Sequence, residues 1–245
     1  IIMLNLRNAK NITIIGGGTA GWFAALFLRK SFPSHVNVQL IESPKVGIVG
    51  VGEGGLVNLI NALNHLNIPT SQFMSETGAS YKWGFCYEGW RSGKRDDEFF
   101  HLFINPTLTP FKEEFSGYFP LISGHIASGI PLACAIKDLD AIQNRYSFEQ
   151  ATEILTNQPS ISTSMHFDSF KVSEFLKKIA KERGVIHTQT LVQDFELNEQ
   201  GNVVKIISED GEFPTDLVID ASGFARVLIG KKFKSKWWRQ YCPGR

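Results

Sequence analysis

Residues 11–30 read NITIIGGGTAGWFAALFLRK, and this stretch decides the fold of the protein. Its first five residues form a β-branched run typical of a buried strand, and the glycines at 16–21 end that run. Good helix formers follow over 22–30, and Pro33 closes the helix. A second strand-like run, VNVQLI, occupies residues 36–41. Strand, glycine turn, helix and strand within about thirty residues predict a βαβ unit with two parallel strands.

The glycine turn matches the dinucleotide-binding fingerprint GxGxxG at Gly16, Gly18 and Gly21. Gly16 permits the tight turn, Gly18 lets the backbone approach a diphosphate, and Gly21 allows the helix to pack closely on the strand. The diphosphate would lie at the helix N-terminus, against the backbone of Thr19 and Ala20. The alternative interpretation is a glycine-rich turn in an ordinary α/β protein.

A carboxylate follows at the end of the second predicted strand. Glu42 lies about 20 residues beyond the last glycine, where such folds place the acidic residue that accepts hydrogen bonds from a ribose. A carboxylate at this position disfavours the 2′-phosphate of NADP, because the two negative charges repel each other. FAD and NAD remain as candidate cofactors, since both can bind to this first βαβ unit.

A late strand favours FAD over NAD. Residues 217–223 read LVIDASG, a buried strand that ends at Asp220 and turns at Gly223. Flavoproteins with two dinucleotide-binding folds have a similar strand, which rejoins the sheet and passes near the cofactor. A buried strand followed by an ordinary turn is the alternative interpretation. We find no nearby His–Asp or Tyr–Lys arrangement suited to hydride transfer, which argues against an NAD dehydrogenase.

The predicted fold class is α/β: an FAD-binding, Rossmann-like fold of the type with two dinucleotide-binding folds, carrying an inserted mixed segment. We expect a single FAD-binding domain over residues 1–245. Its dinucleotide-binding core would lie at about 10–60 and 165–230, and the insertion at about 61–164.

Residue patterns predict the other elements. An amphipathic helix over 168–183 has Asp168 as its cap and Gly184 as its stop. Another helix is expected over 56–66, with Pro69 ending that region. Extended segments are expected at 80–90, 98–104, 185–187, 191–197, 203–208 and 217–220. Irregular structure is expected over 105–135, and a helix over 137–144.

Composition excludes several classes of function. The 245 residues include 25 basic and 24 acidic side chains, so the net charge of +1 gives no basis for binding nucleic acid or an anionic membrane. The three cysteines form no CxxC pair, which argues against a disulfide framework and a structural zinc site. No apolar run reaches the length of a membrane span or of a signal peptide. We therefore expect a cytoplasmic protein without a bound metal ion.

Five motifs together resemble those of the flavin-dependent tryptophan halogenases. They are GGGTAGW at 16–22, VGVGEG at 49–54, SYKWGFCYEGW at 80–90, HFD at 166–168 and DASGF at 220–224. The motifs occur in the order and with the spacing of that family, and the resemblance extends to about Lys236. Trp22, directly after the glycine fingerprint, is a more specific match than the glycines themselves.

The resemblance implies an oxidoreductase that halogenates an electron-rich aromatic compound, such as indole, tryptophan or a phenol. In that family a separate flavin reductase delivers reduced FAD, oxygen reacts with it, and a halide ion becomes hypohalous acid. A lysine, which falls on Lys82 in this sequence, positions or captures this oxidant beside the small aromatic substrate. An ammonium can donate a hydrogen bond to hypohalous acid, whereas a neutral amine, favoured by burial, can form a haloamine. The alternative interpretation of Lys82 is a solvated surface lysine.

The motif VGVGEG implies a flavin-side segment. The resemblance assigns Val49, Gly50, Gly52 and Glu53 to a glycine-rich loop at a helix N-terminus, packed against the flavin. Backbone N–H groups in such a loop could also face an anion. We interpret Glu53 as a structural or flavin-side residue, and His166 as equally compatible with a core histidine and a functional one.

The chain departs from the family pattern in its length. Family members are about twice as long, and their later half carries a WxWxIP segment, the carboxylate that assists the lysine, and most of the substrate pocket. None of these occurs in the 245 residues, and the tail KWWRQYCPGR at 236–245 resembles the product of a frameshift or an early stop. An incomplete pocket would expose apolar surface, so self-association into a homodimer is expected.

Two other functions remain open from the sequence. An FAD-dependent aromatic monooxygenase, which hydroxylates its substrate, shares the fold and needs no lysine. A truncated remnant would bind a nucleotide or nothing and would catalyse no reaction. Flavin uptake separates the remnant from both enzymes, and replacement of Lys82 separates the halogenase from the hydroxylase.

Overall fold

The computed structural model describes residues 5–47, 50, 52–90, 92–94, 98–103 and 163–236. The chain divides into two compact units, one made of Ile1–Gly52 with Asp168–Arg245 and the other of Glu53–Phe167. The irregular structure predicted over 105–135 and the helix predicted over 137–144 lie outside the described residues. Among the residues described, no helix is long and apolar enough to span a bilayer.

Strands and helices alternate along the first part of the chain, and strands dominate its last part. In chain order, the elements are β1 (Asn11–Ile15), α1 (Thr19–Ser31), β2 (Asn37–Glu42), β3 (Gly52–Gly54), α2 (Val57–His65), α3 (Thr70–Thr77), β4 (Ser80–Lys82), β5 (Gly84–Glu88), β6 (Glu98–Leu102), β7 (Ser164–Asp168), α4 (Ser169–Glu182), β8 (Ile186–Gln189), β9 (Val192–Leu197), β10 (Val203–Ser208), β11 (Gly211–Pro214) and β12 (Leu217–Asp220). A 3-10 turn at Gly223–Ala225 and a π-helical turn at Val227–Lys232 follow.

A parallel sheet of four strands, in the order β12-β1-β2-β8, forms the centre of the first unit. Ile14 of β1 lies opposite Ile219 of β12 on one side and Leu40 of β2 on the other. Ile14 and Leu40 are fully buried, because a parallel sheet in an α/β fold is covered on its faces. The predicted βαβ unit and the late strand are therefore confirmed.

Helices α1 and α4 belong to the same unit and contact each other, with the hydroxyl oxygens of Thr19 and Ser173 3.5 Å apart. The apolar stripe of α4 is buried, and its members are Val172, Phe175, Leu176, Ile179 and Ala180. The Asp168 carboxylate accepts hydrogen bonds from the N–H groups of Phe170 (2.8 Å) and Lys171 (3.1 Å). The prediction that Asp168 caps this helix is confirmed.

A second, antiparallel sheet completes the first unit, with the strand order β11-β10-β9. One buried cluster joins it to the parallel sheet and to the π-helical turn. Its members are Ile15, Ile41, Phe195, Ile206 and Leu228. Strand β11 was not among the extended segments expected from the sequence, and it follows β10 after a turn at residues 209–210. The structure makes this turn the tip of a hairpin, in which Ser208 lies opposite Gly211.

The second unit contains two small sheets, β3-β7-β4 and the pair β5-β6, together with α2 and α3. The extended segments expected at 80–90 and 98–104 are confirmed as β4, β5 and β6. The helix expected over 56–66 is confirmed as α2. Helix α2 ends at His65, before Pro69 as expected, but the sequence did not predict α3, of which Pro69 is the N-cap. Proline has no N–H to satisfy and suits a helix start as well as a helix end.

Candidate functional site

The carboxyl ends of three parallel strands meet at one edge of the first sheet. The glycine turn follows β1, Glu42 ends β2, and Asp220 ends β12. The Gly16 N–H donates to the Ile41 carbonyl at 2.8 Å, and the Ala221 N–H donates to the Ile15 carbonyl at 2.9 Å. These bonds hold the three predicted groups at the edge where open α/β sheets bind their ligands.

Two of the three fingerprint glycines are required by the packing of the chain itself. Gly16 has a φ of +113°, and a Cβ there would collide with the carbonyl of Ala221. A Cβ at Gly21 would collide with the carbonyl oxygen of Gly16. A Cβ at Gly18, by contrast, would meet no atom within 4 Å among the described residues. The space beside Gly18 agrees with its predicted role, in which a ligand rather than the protein requires the missing side chain.

The N-terminus of α1 places backbone N–H donors beside this space. Gly18 is the N-cap, it provides no side-chain hydrogen bond, and the first turn contains no acidic residue. The first N–H groups of a helix lack intrahelical acceptors, and in α1 those include Thr19 and Ala20. The helix dipole adds positive potential at the same end. An anion such as a diphosphate fits this arrangement.

Glu42 is held by two basic side chains that the sequence interpretation missed. His187 Nε2 lies 2.7 Å from Glu42 Oε1, and Lys177 Nζ lies 3.6 Å from the same oxygen. The other carboxylate oxygen, Oε2, occupies the place that a Cβ on Gly17 would take. His187 reaches Glu42 because β8 pairs with β2, with His187 opposite Leu40. Only the sheet topology reveals this neighbour.

Lys177 is charged in this environment. Burial lowers its pKa, but its hydrogen bond and ion pair with Glu174, at 3.0 Å, and the charge of Glu42 raise the pKa more. The net result is a pKa above the ordinary lysine value. Glu42 therefore faces a cation, and its negative charge is partly balanced.

Asp220 organises the turn that follows β12. Its Oδ1 accepts from the N–H (3.2 Å) and the hydroxyl of Ser222, and its Oδ2 accepts from the N–H groups of Leu228 and Ile229, both at 3.0 Å. Burial raises the pKa of this carboxyl, and the four hydrogen bonds lower it more, so the pKa lies below its ordinary value. Gly223, with a φ of +59°, lies within the turn that these bonds stabilise.

In the second unit, the amine of Lys82 is buried. Lys82 is 6% exposed, and its Nζ donates to the carbonyls of Gly54 (3.3 Å) and Gly55 (3.2 Å). The rings of Phe85 and Phe103 lie with their centroids 4.0 Å and 5.6 Å from Nζ. Burial lowers the pKa of Lys82. The alternative of a solvated surface lysine is therefore wrong.

His166 is a titratable neighbour of this amine. A Cβ at Gly54 would lie 2.8 Å from Lys82 Nζ and 3.2 Å from His166 Nδ1, so both side chains converge on this glycine. Burial of part of the ring and the charge of Lys82 lower the pKa of His166. The backbone explains the proximity, because Ser80 of β4 lies opposite His166 of β7.

The motif VGVGEG differs in structure from the expected loop. Gly52–Gly54 form β3, which is hydrogen-bonded to β7, and α2 begins only at Val57. Gly52 and Glu53 are exposed and Gly50 is half-buried, while Val49 lies outside the described residues. The motif therefore contains a sheet strand, and its carbonyl at Gly54 binds Lys82.

The family model described as tryptophan halogenase matches residues 11–241. This chain belongs to the tryptophan halogenase family. The resemblance inferred from the five motifs is confirmed by this match, which covers nearly the whole sequence.

Two curated proteins are similar to most of this chain. The chain is 36% identical over 237 residues to the uncharacterized protein y4xG of Sinorhizobium fredii, covering 96% of this chain and 47% of that protein. It is 31% identical over 238 residues to the tryptophan 7-halogenase RebH of Lentzea aerocolonigenes, covering 90% of this chain and 43% of that protein. The chain thus spans about half the length of the curated relatives that it matches.

A solved structure has the same fold. The flavin-dependent halogenase of Xanthomonas campestris superposes with a TM-score of 0.74 at 27% identity, covering 93% of this chain and 45% of that one. The similarity, together with the parallel sheet and the glycine turn, confirms the predicted α/β fold of the FAD-binding, Rossmann-like type.

Proposed function

We propose that this chain binds FAD and forms part of a halogenase that acts on an electron-rich aromatic compound, with Lys82 as its catalytic residue. The observation that carries the proposal is the environment of the Lys82 amine. A lysine that is 6% exposed, with a lowered pKa and two carbonyl acceptors, is unusual outside functional sites. It occupies the lysine position of the family motif SYKWGF.

The residues at the edge of the parallel sheet fit FAD. The first-turn N–H groups of α1 would hold the diphosphate, and the open space beside Gly18 would admit it. Glu42 would accept a hydrogen bond from the adenosine ribose. A separate flavin reductase would deliver FAD in its reduced form. Bound reduced FAD, together with oxygen and a halide ion, supplies the hypohalous acid that the reaction needs.

Lys82 can handle hypohalous acid in either protonation state. Its two hydrogen bonds to Gly54 and Gly55 orient the nitrogen. Among the described residues, no third hydrogen bond of this nitrogen is seen, so one N–H or the lone pair can face a ligand. As an ammonium, the nitrogen donates its remaining N–H to the oxygen of the acid. As an amine, its lone pair attacks the halogen, the oxygen–halogen bond breaks, and the released hydroxide takes a proton from nitrogen to leave as water. The product of this second step is a haloamine.

The surroundings of the amine favour such chemistry. Phe85 and Phe103 lie against Nζ and limit the access of water, which would hydrolyse or dilute a reactive halogen species. The same burial lowers the pKa of Lys82 and increases the fraction of neutral amine. An arene such as indole would then accept the halogen on carbon and lose a ring proton.

Bromination of indole tests the proposal. The protein would be incubated with FAD, a flavin reductase with its nicotinamide, bromide and indole, and the products analysed by mass spectrometry. We expect a product in which one bromine replaces one hydrogen. Lys82→Ala should abolish this product while flavin oxidation continues, and Lys171→Ala, which removes an exposed lysine on α4, should leave the yield unchanged.

Three results would contradict the proposal. An indole product that gains one oxygen, with a yield unaffected by Lys82→Ala, would indicate a hydroxylase. Absence of FAD uptake in a titration would indicate a non-binding remnant. FAD uptake without any brominated product would remove the halogenase assignment and leave a flavin-binding protein.

A further inference from the structure

We propose that His187, Lys177 and Trp22 are positioning residues, which hold the Glu42 carboxylate over Gly17 so that it accepts a hydrogen bond from the adenosine ribose of FAD. The inference rests on the proposed binding of FAD. It assigns a task to three side chains on three different elements, α1, α4 and β8: His187 and Lys177 contact the carboxylate, and Trp22 contacts His187.

One oxygen of Glu42 is anchored by the imidazole of His187 and the ammonium group of Lys177. His187 Nε2 lies 2.7 Å from Oε1, and Lys177 Nζ lies 3.6 Å from it. The side chains are largely shielded from solvent, with exposures of 10% for His187, 18% for Glu42 and 21% for Lys177. Shielded pairs of this kind are less screened by salt than surface pairs, so they hold the carboxylate in one rotamer.

The second oxygen of Glu42 points to the glycine turn. Oε2 lies where a Cβ on Gly17 would be, so the carboxylate is placed directly against the turn that precedes α1. The backbone on both sides is also fixed, since the Gly16 N–H donates to the Ile41 carbonyl (2.8 Å) and the Thr190 N–H donates to the Glu42 carbonyl (2.9 Å). An acceptor in this place faces the ligand side of the turn.

Trp22 connects the family motif GGGTAGW to this network. Its indole is fully buried, and the ring of His187 meets it edge-on, with 5.3 Å between ring centroids and 63° between ring planes. The tryptophan therefore limits the orientations of the imidazole, and the imidazole in turn limits those of Glu42. The sequence of contacts runs from Trp22 to His187, to Glu42 and to Gly17.

The consequence is a preorganised acceptor. A glutamate without these contacts would lose rotamer freedom on binding, and the loss weakens binding by about 2- to 10-fold for one flexible side chain. Three positioning residues remove most of that loss before the cofactor arrives. The role is distinct from catalysis, because none of the three side chains needs to touch the reacting atoms.

The test compares ADP with 2′-deoxy-ADP, which differ only in the ribose hydroxyl. Dissociation constants would be measured by calorimetry for the unaltered protein and for His187→Ala, His187→Gln, Lys177→Met and the matched control Lys205→Met. Lys205 also pairs with two glutamates, Glu196 (2.8 Å) and Glu212 (3.0 Å), but on the antiparallel sheet.

In the unaltered protein we expect ADP to bind about tenfold more tightly than 2′-deoxy-ADP, because the deoxy nucleotide cannot donate a hydrogen bond to the charged Glu42 carboxylate. His187→Ala should reduce this ratio to about threefold or less, and Lys177→Met should reduce it part of the way. His187→Gln, whose amide can donate to Glu42, should restore part of the ratio. Lys205→Met should leave it unchanged.

Equal weakening of both nucleotides in His187→Ala, with the ratio preserved, would mean that His187 only supports the fold and would overturn the inference. A protein that binds FAD and halogenates indole, yet shows this preserved ratio, would retain the proposed function without the positioning role. Absence of binding by FAD and by both nucleotides would overturn the function and the inference together.

Discussion

Alanine at Gly17 would place a methyl group on the Glu42 carboxylate. Gly17 does not have a positive φ, so its backbone tolerates alanine, and the loss of chain entropy in the unfolded state even favours the variant by about 0.4–1 kcal/mol. The collision is with Oε2 and Cδ of Glu42, which can swing away. The swing breaks the 2.7 Å contact with His187 and the pair with Lys177.

The magnitude follows from these losses. The hydrogen bond to His187 contributes about 1–2 kcal/mol, and the partly exposed pair with Lys177 at most about 1 kcal/mol. After the entropic gain, Gly17→Ala should lower the free energy of unfolding by about 1 kcal/mol, which is about 2–4 °C in Tm. FAD should bind about tenfold more weakly, because the displaced carboxylate no longer meets the ribose.

The assay is a fluorescence titration with FAD together with a thermal melt. Gly18→Ala is the stability control, because a Cβ there would meet no atom within 4 Å among the described residues. The entropic gain of alanine is offset there by its poor preference for the N-cap of α1, so the Tm should change little. Gly17→Ala would also be made in the Glu42→Ala background, where the methyl group has nothing to displace. If Gly17→Ala weakens FAD binding as much in that background as alone, its effect does not pass through Glu42 and the reasoning is refuted.

Two further predictions concern Lys82 and Asp220. Because its pKa is lowered, the Lys82 amine binds a proton less tightly in the folded chain than in the unfolded chain, and stability rises as pH increases through that pKa. Lys82→Met should remove this rise of stability with pH and leave the protein at least as stable at neutral pH. It should also raise the pKa of His166, because the charge of Lys82 no longer lowers it, and NMR titration measures this change. Asp220→Asn should lower the free energy of unfolding at neutral pH by about 1 kcal/mol, because an amide accepts fewer of the four hydrogen bonds. The carboxylate's contribution is lost as pH falls through its lowered pKa, so denaturant melts of the two proteins should converge in acid.

Much of the first unit could be predicted from residue patterns. The strands at β1, β2 and β12, the helix α4 and its Asp168 cap follow from β-branched runs, from the 3.6-residue period and from local hydrogen-bonding preferences. Such signals act over a few residues, so a sequence displays them directly. The three fingerprint glycines and Glu42 are also predictable from the sequence, because their spacing is set by one turn and one helix.

Other elements could not be predicted in this way. Helix α2 ends before Pro69 as expected, but Pro69 is also the N-cap of α3, a helix that the sequence interpretation did not predict. Gly52–Gly54 indicated a loop, yet they pair with β7, whose sequence position is more than a hundred residues away. Pairing between strands so far apart in sequence depends on the whole fold, and no local residue pattern indicates it.

The sequence by itself determined the glycine turn, the carboxylate at the end of β2 and the identity of Lys82 as the lysine of interest. Only the tertiary structure decided that His187 and Lys177 bind this carboxylate, that Trp22 packs on His187, and that Lys82 is buried beside two carbonyls. The physical reason is distance along the chain. A turn and a helix are specified by neighbours in sequence, whereas the charge, burial and orientation of a side chain depend on residues that only the folded sheet order brings near.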